Sequence, residues 1–316
     1  MLYYLLFISG FAILLKGADL LVDGSSSIAK KLKIPSLVIG LTIVAFGTSA
    51  PELMVNILAS IQGNADIAIG NIVGSNIANI LLILGVATVI YPIQISKGTA
   101  LKEIPFNLLA VFVLAIMAND MLIDHRGFSE LSRIDGLILL SFFIIFLYYT
   151  FGISKVEGER EMIEEYKVST SFWYILLGII GLGFGGKWIV DSATYFASTW
   201  GLSQGFIGLT FVAIGTSLPE LATSAVAAYK KRSSIAIGNV VGSNIFNVLW
   251  ILGISSVIRP INFSPLLNYD ILICFLITLL LFIFVFVGKK RVIQKWQGIA
   301  FLVSYVVYLI FLVIRG

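Results

Sequence analysis

The chain has 316 residues, of which 59% are hydrophobic and 12% are charged, and its mean hydropathy is +1.01. This composition is typical of an integral membrane protein and not of a soluble domain. The single cysteine, Cys274, permits no internal disulfide, so redox chemistry is not supported.

Ten apolar stretches of about 20 residues follow one another along the chain, and each can cross a hydrocarbon core about 30 Å thick. The first stretch has no basic segment before it and no cleavage signal, so we interpret it as a span and not as a signal peptide. The predicted spans are residues 2–22, 36–61, 66–90, 102–119, 134–152, 171–190, 204–229, 234–258, 267–288 and 293–314.

A stretch of 46 residues occurs twice, 168 residues apart, at Gly40–Gly85 and Gly208–Gly253, with 27 of the 46 positions identical. Each copy lies in a set of five predicted spans, so the second set enters the membrane from the opposite side. The sequence therefore predicts an all-α integral membrane protein with ten transmembrane helices in two inverted-topology repeats of five, as in many secondary transporters. The repeats are residues 1–152 and 171–316, joined by a polar linker at 153–170.

The basic residues are distributed unevenly between the two sets of loops. Of the 21 Lys and Arg residues, 15 lie in loops on the side that is reached after the first span. The positive-inside rule predicts a cytoplasmic linker and two outside termini, in the cytoplasmic (inner) membrane. The net charge of +4 follows from this bias and is not evidence for nucleic-acid binding.

Each copy of the repeat carries a proline inside an apolar span. Pro51 and Pro219 lack a backbone donor and clash with the carbonyl four residues earlier, so spans 2 and 7 should be broken near Gly47 and Gly215. Free carbonyl oxygens at this depth are tolerated only where they line a cavity or coordinate a ligand.

A glutamate follows each proline directly. A charged carboxylate at the centre of a membrane helix costs roughly 2.5–3.5 kcal/mol, and no Lys or Arg in these spans can pair with Glu52 or Glu220. Thr48 and Ser49 share a helix face with Glu52, which yields the oxygen ligands that hard cations prefer. We therefore expect the two glutamates to face each other and to share a divalent cation or protons.

The later part of each 46-residue copy adds a row of polar side chains, here called a polar stripe, on spans 3 and 8. Its members recur every four residues and supply further oxygen atoms, although such side chains also hold membrane helices together without any ligand. Asp23 and Asp191 recur near the ends of spans 1 and 6, where they either reach the interface or attract cations at the mouths. The stripes are Asn71, Ser75, Asn79 and Asn239, Ser243, Asn247.

With these residues in hand, the chain resembles the cation/calcium exchanger superfamily, which contains the sodium/calcium exchangers. The resemblance rests on GTSAPE with GNIVGSNIAN in the first half and GTSLPE with GNVVGSNIFN in the second. It implies a central diamond of cation sites in which Glu52 and Glu220 share Ca²⁺ and spans 1 and 6 slide. The further implied ligands are Thr48, Ser49, Thr216, Ser217, Ser75, Ser243 and the carbonyls of Ala45 and Ala213, with Asn79 and Asn247 flanking the centre.

The predicted function is that of a secondary active antiporter that exchanges Na⁺ for Ca²⁺ by alternating access. Many relatives carry Asp in place of Asn247, so this core has only two formal negative charges. One Ca²⁺ balances these two negative charges, whereas three Na⁺ leave one positive charge over. This arithmetic favours electrogenic exchange that does not require K⁺. The alternatives are a Ca²⁺/H⁺ antiporter and, with less support, a cation channel. We expect no enzymatic activity, no cofactor, no nucleic acid and no obligatory protein partner.

Overall fold

The computed structural model describes residues 2–123, 125, 127–153, 164–199 and 213–315. Its first half contains helices α1 (Leu2–Leu32), α2 (Ser36–Thr48), α3 (Ala50–Gln62), α4 (Ala65–Ile90), α5 (Thr99–Met117), α6 (Asp120–Ile123) and α7 (Arg133–Ile153). The second half contains α8 (Val168–Thr199), α9 (Ala213–Thr216), α10 (Leu218–Tyr229), α11 (Ser233–Ile258), α12 (Leu267–Phe284) and α13 (Lys295–Arg315).

Most of these helices are long and apolar enough to cross a membrane. Eight of the described helices meet that condition singly, and the bent pair α2 and α3 makes a ninth. The predicted span at 204–229 corresponds to α9 and α10, but residues 204–212 lie outside the described residues. The chain is thus an all-helical, multi-pass membrane protein, and the count of ten spans remains a prediction.

Helices α1 and α8 extend further than the sequence predicted. We placed the ends of these spans at residues 22 and 190, whereas the helices end at Leu32 and Thr199. The predicted ends were wrong because they stopped where the apolar run meets Asp23 and Asp191. Both carboxylates are paired with cations in the structure, and nothing in the backbone ends the helix there.

Helices α1 and α8 run antiparallel and touch along a seam of glycines. A Cβ atom on Gly17 would lie 2.8 Å from the backbone nitrogen of Leu182, and one on Gly178 would lie 2.7 Å from that of Leu21. Gly10 faces Gly185 in the same way. The two backbones are therefore as close as glycine permits. Small residues at the contact allow apolar membrane helices to pack tightly in this way.

We expect the Gly178→Ala substitution to destabilise the protein, since the added methyl collides with backbone that cannot move freely. The expected loss is about 1–3 kcal/mol, which is typical of overpacked sites. The matched control is Gly183→Ala on the same helix, where an added Cβ meets nothing within 4 Å. Because alanine favours helix more than glycine does, the control should unfold at an equal or higher temperature. Thermal unfolding in detergent measures both, and equal shifts would contradict the close seam.

The two halves also interlock through four short strands, which the sequence did not predict. Strand β1 (Ile93–Gln94) pairs with β4 (Val292–Ile293), and β2 (Glu130–Leu131) pairs with β3 (Ile261–Asn262), both antiparallel. Each pair joins a loop of one half to a loop of the other.

The fifth long helix of each half crosses over to the other half in the same symmetric manner. Gly298 of α13 packs on Gly85 of α4, and Gly136 of α7 packs on Gly253 of α11. Among the eight described helices that could each cross a membrane, α4 and α11 are the most buried. They form the centre of the molecule, where residues of both repeated phrases meet.

Candidate cation-binding site

The helix is interrupted at the same point of both repeats. Helix α2 ends at Thr48, Ser49 has ψ near 8° and α3 begins at Ala50 with a 49° change of direction. In the second half Ser217 has ψ near 4° between α9 and α10. Pro51 and Pro219 lie in the first turns of the new helices, where a missing donor is harmless. Each glutamate thereby lies at a helix N-terminus, whose partial positive charge favours a carboxylate.

The two glutamates are buried at the interface between the halves, with 0% and 1% of Glu52 and Glu220 exposed. Each accepts a hydrogen bond from the serine of the other half. Ser49 Oγ donates to Glu220 Oε1 at 2.9 Å, and Ser217 Oγ donates to Glu52 Oε1 at 3.3 Å and contacts Ser75 Oγ at 3.4 Å. This crossed arrangement brings both carboxylates, both serines and Ser75 into one cluster.

The remaining hydroxyl groups differ in what they contact. Thr48 Oγ1 donates to Asn239 Oδ1 at 3.0 Å and lies 3.3 Å from the carbonyl of Ala45. That carbonyl also accepts the backbone N–H of Ser49 at 3.0 Å, so the predicted ligand already takes part in two contacts. Ser243 is fully buried, and its hydroxyl has no partner in the described part of the chain.

Two of the predicted ligands lie at the edge of the described chain. Helix α9 consists of Ala213–Thr216, and Thr216 is half-buried beside the break at Ser217. The backbone of Ala213 is described but its side chain is not, and residues 200–212 before it lie outside the description. Whether Ala213 contributes its carbonyl stays a prediction.

The outer members of the polar stripes hold neighbouring helices together. Asn71 Nδ2 donates to Asn56 Oδ1 at 2.7 Å, which joins α4 to α3. Asn239 Nδ2 donates to Ser224 Oγ at 2.9 Å, which joins α11 to α10. The alternative interpretation of these two asparagines as helix contacts therefore agrees with their geometry.

Asn79 and Asn247 contact two asparagines that the sequence analysis did not single out. Asn79 Nδ2 donates to Asn244 Oδ1 at 2.9 Å, and Asn247 Nδ2 donates to Asn76 Oδ1 at 3.0 Å. Both contacts cross from one half to the other. The signal was present, because Asn76 and Asn244 occupy the same position of the two copies.

The centre of the protein thus contains buried oxygen atoms that have no hydrogen-bond partner in the described part of the chain. Burying such acceptors is costly unless a ligand satisfies them. Two carboxylate oxygens, two amide oxygens and one hydroxyl form an all-oxygen set with two formal negative charges, which suits Ca²⁺ or Na⁺. The atoms without a partner among the described residues are Glu52 Oε2, Glu220 Oε2, Asn79 Oδ1, Asn247 Oδ1 and Ser243 Oγ.

Asp23 on α1 is neither an unpaired group at the entrance to the cation site nor a side chain that simply reaches the membrane surface. It pairs at 2.8 Å with both Lys230 and Arg232, which follow α10 in the chain. Lys230 also pairs with Asp19 of α1. Helix α1 is therefore fixed by ion pairs to the hairpin between α10 and α11.

Within the described residues, the other end of the molecule shows no such connection. Asp191, the repeat counterpart of Asp23, pairs at 2.8 Å with Lys187 of its own helix. Gln62 and Asn64 occupy the positions that correspond to Lys230 and Arg232, and neither carries a charge. The symmetry of the two halves is thus broken electrostatically at one side of the site.

Comparison with known proteins identifies the family of the chain. The family model described as "Sodium/calcium exchanger protein" matches residues 2–152 and 170–314, which is nearly the whole chain. The chain belongs to the sodium/calcium exchanger family. This is a family of transporters and not of enzymes.

Some relatives of this exchanger-family chain match over nearly their full length. It is 36% identical over 310 residues to the putative antiporter CaxA of Alkalimonas amylolytica, covering 95% of each chain. It is 33% identical over 344 residues to the sodium/calcium exchanger MaX1 of Methanosarcina acetivorans, covering 98% of each. The solved structure of the sodium-calcium exchanger NCX_Mj soaked with Na⁺ matches with a TM-score of 0.85, 35% identity and 98% coverage of both chains.

Proposed function

We propose that this exchanger-family chain is a Na⁺/Ca²⁺ antiporter whose ions occupy the cluster around Glu52 and Glu220. The observation that carries this proposal is the set of buried oxygen atoms from both halves that have no hydrogen-bond partner among the described residues. The proposed ligands beside the glutamates are Thr48, Ser49, Ser75, Asn79, Thr216, Ser217, Ser243, Asn247 and the carbonyls of Ala45 and Ala213.

The proposed mechanism is alternating access with competition for shared oxygen atoms. One Ca²⁺ between the two carboxylates neutralises both of their charges. Na⁺ ions bind the same oxygen atoms one at a time, so binding of either kind of cation displaces the other. Three Na⁺ against one Ca²⁺ would move one net charge per cycle, which makes exchange electrogenic. Helices α1 and α8 carry no ligand of the cluster, and their glycine seam supports a role as the pair that slides.

The proposal includes a complete membrane arrangement. Ten spans in two inverted repeats, with the second and seventh spans broken at Ser49 and Ser217, account for the crossed hydrogen bonds between the halves. The linker would lie in the cytoplasm and both termini outside, in the cytoplasmic (inner) membrane. The transported ions and the bilayer would suffice for activity, without a cofactor or an obligatory protein partner.

The test is Ca²⁺ uptake into proteoliposomes loaded with Na⁺, compared with choline-loaded vesicles at the same pH. Uptake that requires internal Na⁺ supports the proposal, and its acceleration by an imposed inside-positive potential would establish the outward movement of one positive charge per cycle. Uptake that ignores Na⁺ but follows a pH gradient would assign the chain to Ca²⁺/H⁺ exchange. Ca²⁺ flux without any counter-gradient would indicate a channel.

We expect Asn247→Asp to create or strengthen a dependence of transport on K⁺. A third carboxylate leaves one negative charge unbalanced when Ca²⁺ binds, and a monovalent cation can neutralise it. The measurement is Na⁺-driven Ca²⁺ uptake from media with and without K⁺, for the wild type and the variant. Uptake by an active variant that is indifferent to K⁺ would contradict this charge argument.

A further inference from the structure

Four asparagines form a closed set of hydrogen bonds between α4 and α11. Asn76 Nδ2 donates to the backbone carbonyl of Asn244 at 3.3 Å, and Asn244 Nδ2 donates to the backbone carbonyl of Asn76 at 3.4 Å. The side-chain oxygens of the same two residues accept from Asn247 and Asn79. All four residues are at most 1% exposed.

The orientation of each amide in this set follows from chemistry. A backbone carbonyl only accepts hydrogen bonds, so Asn76 and Asn244 must direct their NH₂ groups to the opposite backbone. Their side-chain oxygens then point the other way and can only accept. Asn79 and Asn247 must consequently present NH₂ to these oxygens, which leaves their own Oδ1 atoms without a donor.

This orientation decides what a cation would meet. An amide turned by 180° would direct its NH₂ group, which carries partial positive charge, to the position where the free oxygen lies. Nothing in the amide group itself prefers one direction, since its two ends have nearly the same shape. The preference must therefore come from the partner across the interface between the halves.

We propose that Asn76 and Asn244 are positioning residues that hold Asn247 and Asn79 with their oxygens toward the transported cation. The inference rests on the proposed function, since it assigns these residues to the same central site. Asn76 orients Asn247, the proposed ligand of the second half. Asn244 orients Asn79, the proposed ligand of the first half. Cation binding is thereby tied to contact between the two halves.

The test is a double-mutant cycle on Ca²⁺ transport. In the wild type, Asn76→Ala removes the acceptor that fixes Asn247, and we expect the KM for Ca²⁺ to rise about 10–100-fold with a smaller change in kcat. In the Asn247→Asp background both side-chain ends are oxygen, so the orientation no longer matters. There, with K⁺ present in every assay, Asn76→Ala should not raise the KM, because it removes an oxygen that faces another acceptor instead of a donor.

A purely structural role for Asn76 predicts equal losses in both backgrounds, and that result would overturn the proposal. If Asn76→Ala does not fold, the symmetric cycle of Asn244→Ala with Asn79→Asp gives the same comparison. The matched control is Asn119→Ala. Asn119, in the segment after α5, and Asn268 of α12 exchange reciprocal hydrogen bonds of 2.8 Å. Removal of the Asn119 side chain should therefore leave the KM unchanged.

A second readout separates this proposal from the proposed function. Thermal stabilisation of the purified protein by Ca²⁺ reports binding whatever ion drives transport. Wild-type protein that is stabilised by Ca²⁺ but shows no Na⁺ coupling would refute the exchange mechanism alone. In that case the Ca²⁺ concentration for half-maximal stabilisation replaces the KM in the cycle, and additive losses would still overturn the role of Asn76.

Discussion

Replacing either Glu52 or Glu220 with glutamine is expected to abolish coupled exchange while leaving the protein folded. Each substitution removes one of the two formal charges at the centre and exchanges a carboxylate oxygen for an NH₂ group. Loss of a residue that only hydrogen-bonds to a metal ligand costs about 10–100-fold in metal affinity. Loss of the ligand itself should therefore lower the affinity by more than 100-fold. Ca²⁺ uptake driven by Na⁺ should fall to the level of empty vesicles.

Stability separates this result from misfolding. A buried carboxylate without a cation is unfavourable, so both variants should unfold at an equal or higher temperature than the wild type in the absence of ions. Added Ca²⁺ should stabilise the wild type and not the variants. The matched control is Glu103→Gln, because Glu103 is equally buried but bonds to Tyr149 away from the cluster. Loss of transport in that control as well would contradict a specific role of the paired glutamates.

Removing the cations beside Asp23 is expected to release one end of α1. The double substitution of Lys230→Gln with Arg232→Asn gives the second hairpin the neutral residues that the first has at Gln62 and Asn64. These charge-assisted bonds are partly exposed, so we expect the attachment of α1 to this hairpin to weaken by about 1–2 kcal/mol. Such a change multiplies the population in which this end of α1 is detached by about 5–30-fold.

Hydrogen exchange of the α1 backbone around Asp23 measures this opening directly. The variant should exchange faster there, and the segment around Asp191 should be unaffected. Lys231→Gln is the control, since it removes one positive charge from the same loop, where Lys231 lies over the ring of Tyr91 and not beside α1. Equal acceleration in the control would show that loop charge, and not the ion pairs, restrains α1.

Much of the site could be predicted because its residues are repeated. Glu52, Glu220, Ser49 and Ser217 stand out as polar groups in apolar surroundings, and the duplication indicates that they meet. Asn76 escaped notice because we followed a period of four residues, whereas its contact with the opposite half depends on how α4 faces α11. The orientation of an amide is not encoded in any local pattern.

Long-range ion pairs were equally invisible in the sequence. Asp23 and Arg232 are 209 residues apart, and each alone has an adequate explanation as an interfacial charge. The same holds for the lengths of α1 and α8, since hydropathy stops at the first charged residue while the helix continues. Pairing across the fold, and not composition, determines both features.

The exchange of hydrogen bonds between the halves has a consequence for how the protein is made. Asn79 is bonded to Asn244, which is synthesised 165 residues later. At ribosomal speeds of about 5–20 residues per second, the first half waits in the bilayer for about 10–30 s without the partners that the second half supplies. During this interval nascent α4 exposes a carboxamide and hydroxyl face to lipid or to the insertion machinery, so biogenesis requires that this face be shielded until the second half arrives.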